Sequence, residues 1–387
     1  MRMIKSFWGA LTAASVIAAA PVWAEQGVTD SSVSFAQVAA MEGPAAALGT
    51  GMNLGIKAAF EEANAAGGVN GRKVSVEGFD DGYEPDRSVE QVRSVITGND
   101  YLGLIGPVGT PTTQATQPLA TEAGMPYIGP FTGAGFLRDP KLTNVVNIRA
   151  TYGAETKVWI DYLVGTLGLK DIAILYQDDG FGRVGLEGVT KALTDRGMSL
   201  VAEGTYTRNT VAVKTALLDI RKANPQAVVM VGAYKPIAEF IKLAHKMKMD
   251  AVFVNISFVG SDALSKELGA EGEGVIISQV VPFPWDDSLP LVKQYQAALK
   301  TVAPDAAPGF VTLEGYITGR VALAALEKAG TDVTRESYLA ALQDLGTLDL
   351  GGFSLTYGAG DNQGSDDVFL TEIQADGSFK PLALGDG

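Results

Sequence analysis

From Ser32 onward, short apolar runs alternate with longer segments whose apolar residues recur every three or four positions. The runs at 33–40, 73–80, 101–107 and 125–130 read as strands, as do those at 171–177, 200–205, 227–232, 251–256 and 275–281. Between them lie helical stretches with stripes such as Val89, Val92 and Ile96, or Leu186, Val189 and Leu193. Apolar strands alternating with amphipathic helices predict an α/β chain whose doubly wound, mainly parallel sheets are covered on both faces. One set of such units precedes Asn147 and a similar set follows Tyr152, so the pattern predicts two lobes. Two helices at 289–301 and 312–329, and a shorter one starting near Thr334, then lead back toward the first lobe. The strand-like stretches 353–357 and 368–374 read as a hairpin around the polar loop 358–364.

Residues 1–24 break this pattern. Arg2 and Lys5 precede an apolar stretch at 7–20, and Val22-Trp23-Ala24 forms a small-residue cleavage site, the signature of a secretory signal peptide. The apolar stretch is shorter than the roughly 20 residues of a spanning helix, and no cysteine follows it to carry a lipid. Cleavage after Ala24 is therefore expected to release a soluble protein into the periplasm. Removing Arg2 and Lys5 leaves 28 basic residues against 44 acidic ones, a net charge of −16. Such a balance argues against nucleic acid and anionic membranes as partners.

The chemistry-bearing residue types are sparse. The chain has no cysteine and one histidine, His245, within an apparent helix at 237–249 among lysines, where a surface role is expected. No G-x-S-x-G elbow accompanies it, and Gly49, Gly51 and Gly55 are out of register for a dinucleotide fingerprint. No catalysis, metal or cofactor is expected. The informative stretch is 103–114, where an apolar run ends in glycines and a helix start follows. With Thr110 as N-cap and Pro111 at the first helical position, amides and the hydroxyls of Thr110, Thr112 and Thr113 would face outward. Such a junction suits a carboxylate and lacks the lysine of a phosphate loop. Ligands of open α/β sheets bind beyond the carboxyl ends of the strands, so two facing lobes imply one cleft.

The order of several motifs resembles the periplasmic solute-binding proteins of branched-chain amino acid ABC transporters. They are Gly43-Pro44, Glu62-x-Asn64-Ala-Ala-Gly-Gly-Val-Asn-Gly-Arg72, Asp80-Asp81-Gly-Tyr-Glu-Pro85, Leu104-Ile-Gly106 and Tyr127-Ile-Gly-Pro130. Ile172-Ala-Ile-Leu175, Phe181-Gly182 and Thr312-Leu-Glu-Gly-Tyr316 continue the series. The resemblance implies a two-lobed, type I periplasmic-binding-protein fold with three crossover segments. The lobes are then expected at 25–148 plus 278–351 and at 149–277 plus 352–387. It also implies a monomeric receptor that closes on a small ligand, an amino acid or another carboxylate, and delivers it to an ABC permease. A sensory module of the same fold and a Rossmann-type enzyme are the rival readings.

The resemblance also implies site residues. Leu48 matches a position where relatives place an aromatic wall. Val108, Gly109 and Thr110 match the segment that grips the ligand carboxylate, and Phe131, Thr132 and Gly133 match a second first-lobe loop. Phe181 and Tyr234 match two second-lobe tyrosines, and Ser257 falls where relatives carry a glutamate for the ligand ammonium. Three departures stand out. Tyr83 and Gly109 occupy the positions of a disulfide pair, and Gly133 lacks a threonine hydroxyl that Thr132 could replace. Ser257 lacks a carboxylate, which leaves Asp178, Asp179 or Asp262 to pair an ammonium, or else a ligand that is a carboxylate without an amine.

Overall fold

The computed structural model describes residues 26–383, so the expected signal peptide lies outside the described residues. The first sheet contains β1 (Ser32–Ala39), β2 (Lys73–Asp80), β3 (Leu104–Ile105), β4 (Tyr127–Ile128) and β5 (Val145–Val146). Its order is β2-β1-β3-β4-β5, all parallel. Helices α1 (Ala46–Ala65), α2 (Pro85–Gly98) and α3 (Thr110–Glu122) make the crossovers. The second lobe opens with α4 (Tyr152–Ile160), capped by the Thr151 side chain and running into a π-helical turn. There follow β6 (Ile172–Gln177), α5 (Gly180–Thr194), β7 (Ala202–Tyr206), α6 (Lys214–Lys222), β8 (Ala227–Val231), α7 (Tyr234–Lys246), β9 (Val252–Asn255), α8 (Ser261–Leu268) and β10 (Ile276–Gln279). Every residue of β6 and β8 is buried, as a parallel sheet with helices on both faces requires.

The chain then returns to the first lobe with α9 (Pro290–Val302), α10 (Phe310–Ala329) and α11 (Arg335–Gln343). Helix α10 lies against α1 with backbones almost touching. A Cβ on Gly55 would stand 2.0 Å from the Thr312 carbonyl oxygen, and one on Gly315 2.4 Å from that of Met52. Glycine inside a helix costs about 0.5–1 kcal/mol relative to alanine, so these positions trade local stability for close packing. Gly51 and Gly55 of α1 therefore serve helix contact, while Gly49 makes room for the Ala40 carbonyl.

The tail differs from the expected hairpin. β12 (Ser354–Thr356) pairs with β11 (Thr347–Asp349), whereas β13 (Phe369–Ile373) pairs with β10 and with β14 (Phe379–Leu382). The loop between β12 and β13 does not reverse the chain; Asn147 pairs with Gln363, and its amide donates to the Asn362 carbonyl. Phe353, Leu355 and Tyr357 pack in the core around α10 and the first sheet. The last crossing thus lies beyond Gln363 instead of at 352. The second sheet gains two antiparallel strands and reads β14-β13-β10-β9-β8-β6-β7. Strands β3 and β4 are also shorter than expected, because Gly106 and Gly129 have positive φ and prolines follow both. Along the second connection between the lobes, Trp285 stacks on Phe379 at 5.6 Å and stands edge-on to Phe310 of α10.

Candidate functional site

The first-lobe loops meet at the carboxyl ends of β3 and β4. Gly109, with φ 103°, is the N-cap of α3, so the helix starts at Thr110 itself, one residue earlier than expected. The glycine cap contributes no side-chain bond, which leaves first-turn amides free of a side-chain acceptor at the positive end of the helix. Of the three threonine hydroxyls expected to face outward, two turn back. Thr112 donates to the Val108 and Gly109 carbonyls and Thr113 to that of Thr110. Thr110 points its hydroxyl out of the helix, 2.7 Å from that of Thr132.

The second loop is laced to the first. Val108 pairs with Phe131, the Phe131 amide donates to Pro107, and the Gly109 amide donates to Phe131. A Cβ on Gly133 would lie 2.6 Å from the Tyr152 ring and 2.7 Å from its amide nitrogen, so the threonine of relatives has no room here. Thr132 provides the hydroxyl instead. Beside it is the fully buried hydroxyl of Tyr152, which neighbours Thr132 and the Gly133 amide yet meets hydrogen-bond geometry with no protein partner. Burial, partly countered by Arg149, pushes this phenol up to about 12, so it is a neutral donor. An orphaned buried hydroxyl is costly unless something accepts from it.

Two guanidinium groups underlie these loops. Arg138 donates to the carbonyls of Thr132, Ala134 and Arg149 and to Gln363, all neutral acceptors. Burial and the nearby Arg149 lower it to about 10, leaving it charged at neutral pH. Arg149 lies 4.0 Å over the Phe131 ring and makes a two-pronged pair with Glu314, which outweighs burial and raises its pKa. The buried charge of Arg149 is thus neutralised, while Arg138 hydrogen-bonds only neutral groups and feels Glu314 and Asp366 at longer range. Positive potential beneath a loop of hydroxyls favours an anion.

Opposite stand aromatic side chains. The 3-10 turn after β9 gives Ser257 and Phe258 different partners. Ser257 donates its amide and hydroxyl to Glu155 and accepts from Arg149, in a buried network completed by Ser278. Its amide and hydroxyl are therefore already taken up by protein partners, contrary to the expectation for an ammonium site. Phe258 instead enters the cleft, with ring centroids 4.6 Å from Phe181, 5.5 Å from Phe131 and 5.8 Å from Tyr83. Phe181 in turn packs 5.4 Å from Tyr152. Leu48 and Tyr234 lie together at another part of the interface. Tyr234 accepts from the Ala47 amide, and Leu48 presses on Gly260, where an added Cβ would be 2.6 Å from its methyl. Tyr83 covers Gly109 so closely that a Cβ there would be 2.2 Å from the ring.

The expected carboxylate substitutes are all engaged. Asp178 pairs with Arg183 on the surface. Asp179 accepts from Gln177, Arg208 and the Phe181 amide. Asp262 accepts from the Phe310 amide at the start of α10, and burial raises it to about 6. Beside Asp262, Leu48, Gly260 and Val311 line an interlobe cavity of about 150 Å³. Across the cleft mouth, Arg208 and Asn209 of the second lobe bond Glu84 of the first. Sequence reasoning missed Tyr83, Tyr152, Phe258 and the arginines. The signals on offer were the position of Tyr152 just after the first crossing and the pairing of Tyr83 with Gly109 at the positions of a disulfide in relatives.

The sequence profile of the periplasmic binding protein family matches residues 32–378. The Leu/Ile/Val-binding protein BraC3 of Rhizobium johnstonii is 26% identical over 331 residues, 84% of this chain and 87% of its own. The crystal structure of a possible leucine/isoleucine/valine-binding protein from Rhodopirellula baltica is 36% identical, with a TM-score of 0.86 over 95% of this chain and 99% of its own. A solute-binding protein of an ABC transporter from R. palustris, solved in complex with benzoate, shares the fold at 20% identity and TM-score 0.81, covering 91% of this chain and 95% of its own. Two mainly parallel sheets, with a cleft at their strand ends and a match along nearly all of the described residues, establish that this chain belongs to the periplasmic binding protein family, as a type I member of the leucine/isoleucine/valine-binding-protein kind.

Proposed function

We propose that this protein is a monomeric periplasmic receptor, released by cleavage after Ala24, that captures an amine-free carboxylate with a small ring or branched apolar body and hands it to an ABC permease. The observation that carries the reading is the buried, unpartnered Tyr152 hydroxyl beside the Thr110–Thr132 pair. A carboxylate accepting from these hydroxyls and from the first-turn amides of α3 would satisfy them all. Phe131, Phe181 and the Phe258 ring between them would form an aromatic wall against the apolar body, and Leu48, Val108, Gly109, Gly133 and Tyr234 would complete the lobe surfaces that close on it. A desolvated ammonium needs a carboxylate, and at the position where the resemblance implies one stands Ser257, whose amide and hydroxyl are taken up by Glu155 and Arg149. The benzoate complex of the R. palustris relative supports this class of ligand. In this reading the ligand is captured and released unchanged.

A second reading, an amino acid, is favoured by the names of the Rhizobium and Rhodopirellula relatives. Thermal-shift and calorimetric titration of residues 25–387 separates the two. Benzoate and related acids are expected to raise Tm while leucine, valine and phenylalanine leave it unchanged. Stabilisation by the amino acids alone would sink the amine-free reading.

A further inference from the structure

We infer that Phe258 is the specificity-determining residue of this cleft, setting ligand length so that one ring, or an aliphatic body of that size, is admitted and two fused rings are excluded. The inference rests on the carboxylate reading only for which end of the ligand is held. The Phe258 side chain is wholly buried. It projects from the second lobe between Phe181 of its own lobe and Phe131 and Tyr83 of the other, all within 5.8 Å. Phe131 adjoins Thr132 in the chain, and Phe181 packs on Tyr152. The Phe258 ring therefore stands one aromatic neighbour away from the anion donors.

The turn that carries Phe258 has little freedom to retreat. Ser257 is tied through its amide and hydroxyl to Glu155, and through its oxygen to Arg149. The Val259 amide closes the turn on the Ile256 carbonyl. Gly260 follows with φ 80° and no space for a side chain beneath Leu48. A ring on so fixed a backbone, flanked on three sides, cannot swing aside while the lobes are closed. Gly260 also lines the interlobe cavity bounded by Leu48, Asp262 and Val311. Shortening residue 258 would free the volume its ring fills between Phe181, Phe131 and Tyr83, and a longer apolar body could then enter.

The test compares the mature protein with Phe258→Ala and Phe258→Leu by calorimetric titration. The ligands are benzoate, 2-naphthoate, L-phenylalanine and 3-(2-naphthyl)-L-alanine. Apolar pockets discriminate by roughly 10–200-fold per misfit group. The unaltered protein is expected to prefer the one-ring member of whichever series it binds by at least about tenfold. Phe258→Ala should abolish or reverse that ratio, with Phe258→Leu between the two. The ratio is read within each series, so binding of the amine-bearing series alone defeats the amine-free reading and still judges Phe258. An unchanged ratio in both folded variants overturns the inference. Failure of all three proteins to bind any of the four ligands overturns the inference and the carboxylate reading together.

Discussion

Tyr152 buries a hydroxyl that no protein atom accepts from, and that cost is present whenever the cleft is closed without a ligand. Removing the oxygen should leave the fold intact, because an unsatisfied buried donor contributes nothing to stability. Tyr152→Phe is therefore expected to keep or slightly raise Tm while weakening carboxylate binding about tenfold, the worth of one hydrogen bond to a charged acceptor. Paired melting curves and titrations check both halves. At this scale the sequence was only partly legible. It pointed to the threonines of α3, but a hydroxyl in a first helical turn can bond back to a carbonyl three or four residues earlier. Thr112 and Thr113 do this and Thr110 does not, a choice made by tertiary contact with Thr132. Ser257 and Phe258 illustrate the same limit. Neighbours in a tight turn meet different partners, so a displacement of one residue exchanges a hydroxyl held by Glu155 and Arg149 for a phenyl ring among aromatics.

Among the elements, the loop 131–134 is shaped from below by Arg138 and from above by Tyr152. Gly133→Ala should force its methyl into the Tyr152 ring and amide. Overpacking of this kind costs about 1–3 kcal/mol, so a lower denaturation midpoint and weaker binding are expected, measured by urea unfolding and titration. The alternation of strands and helices was legible because buried parallel strands read as continuous apolar runs, as β6 and β8 do. The tail was not. Its two strand-like stretches have the spacing of a hairpin, yet the polar loop between them bonds to Asn147 and separates them into different sheets. Local pattern cannot report a partner more than two hundred residues away in the chain.

Across the whole molecule, closure is held by contacts that differ in their response to solvent. Arg208, about one-fifth exposed, joins Glu84 of the first lobe to Asp179 of its own. Exposed pairs are worth about 0.2–1 kcal/mol and are screened by salt. Arg208→Ala should thus weaken binding about two- to fivefold at low ionic strength, and the difference from the unaltered protein should shrink in titrations at high salt. Asp262 responds to protons. Its carboxyl, on α8 of the second lobe, lies against the start of α10, and burial there raises its pKa to about 6. The closed form consequently holds this proton more tightly than a form in which the carboxyl is exposed. Closure gains as pH falls through 6 and is opposed by the ionised group above it. Affinity should tighten about tenfold between pH 7 and pH 5, and Asp262→Asn should flatten that profile; titration across the range decides.

The aromatic junction at Trp285 has a consequence of another kind. Its indole lies on Phe379 from the second sheet, within 5.6 Å and 14° of parallel, while its edge meets Phe310 of the first-lobe helix α10. Rotation of one lobe would pull one of these neighbours away and expose more of the indole, which is already in part open to water. Trp159, wholly buried among second-lobe side chains, would keep its surroundings. The native emission spectrum thus contains both a moving signal and a steady reference, and ligand capture can be followed in real time with no dye attached.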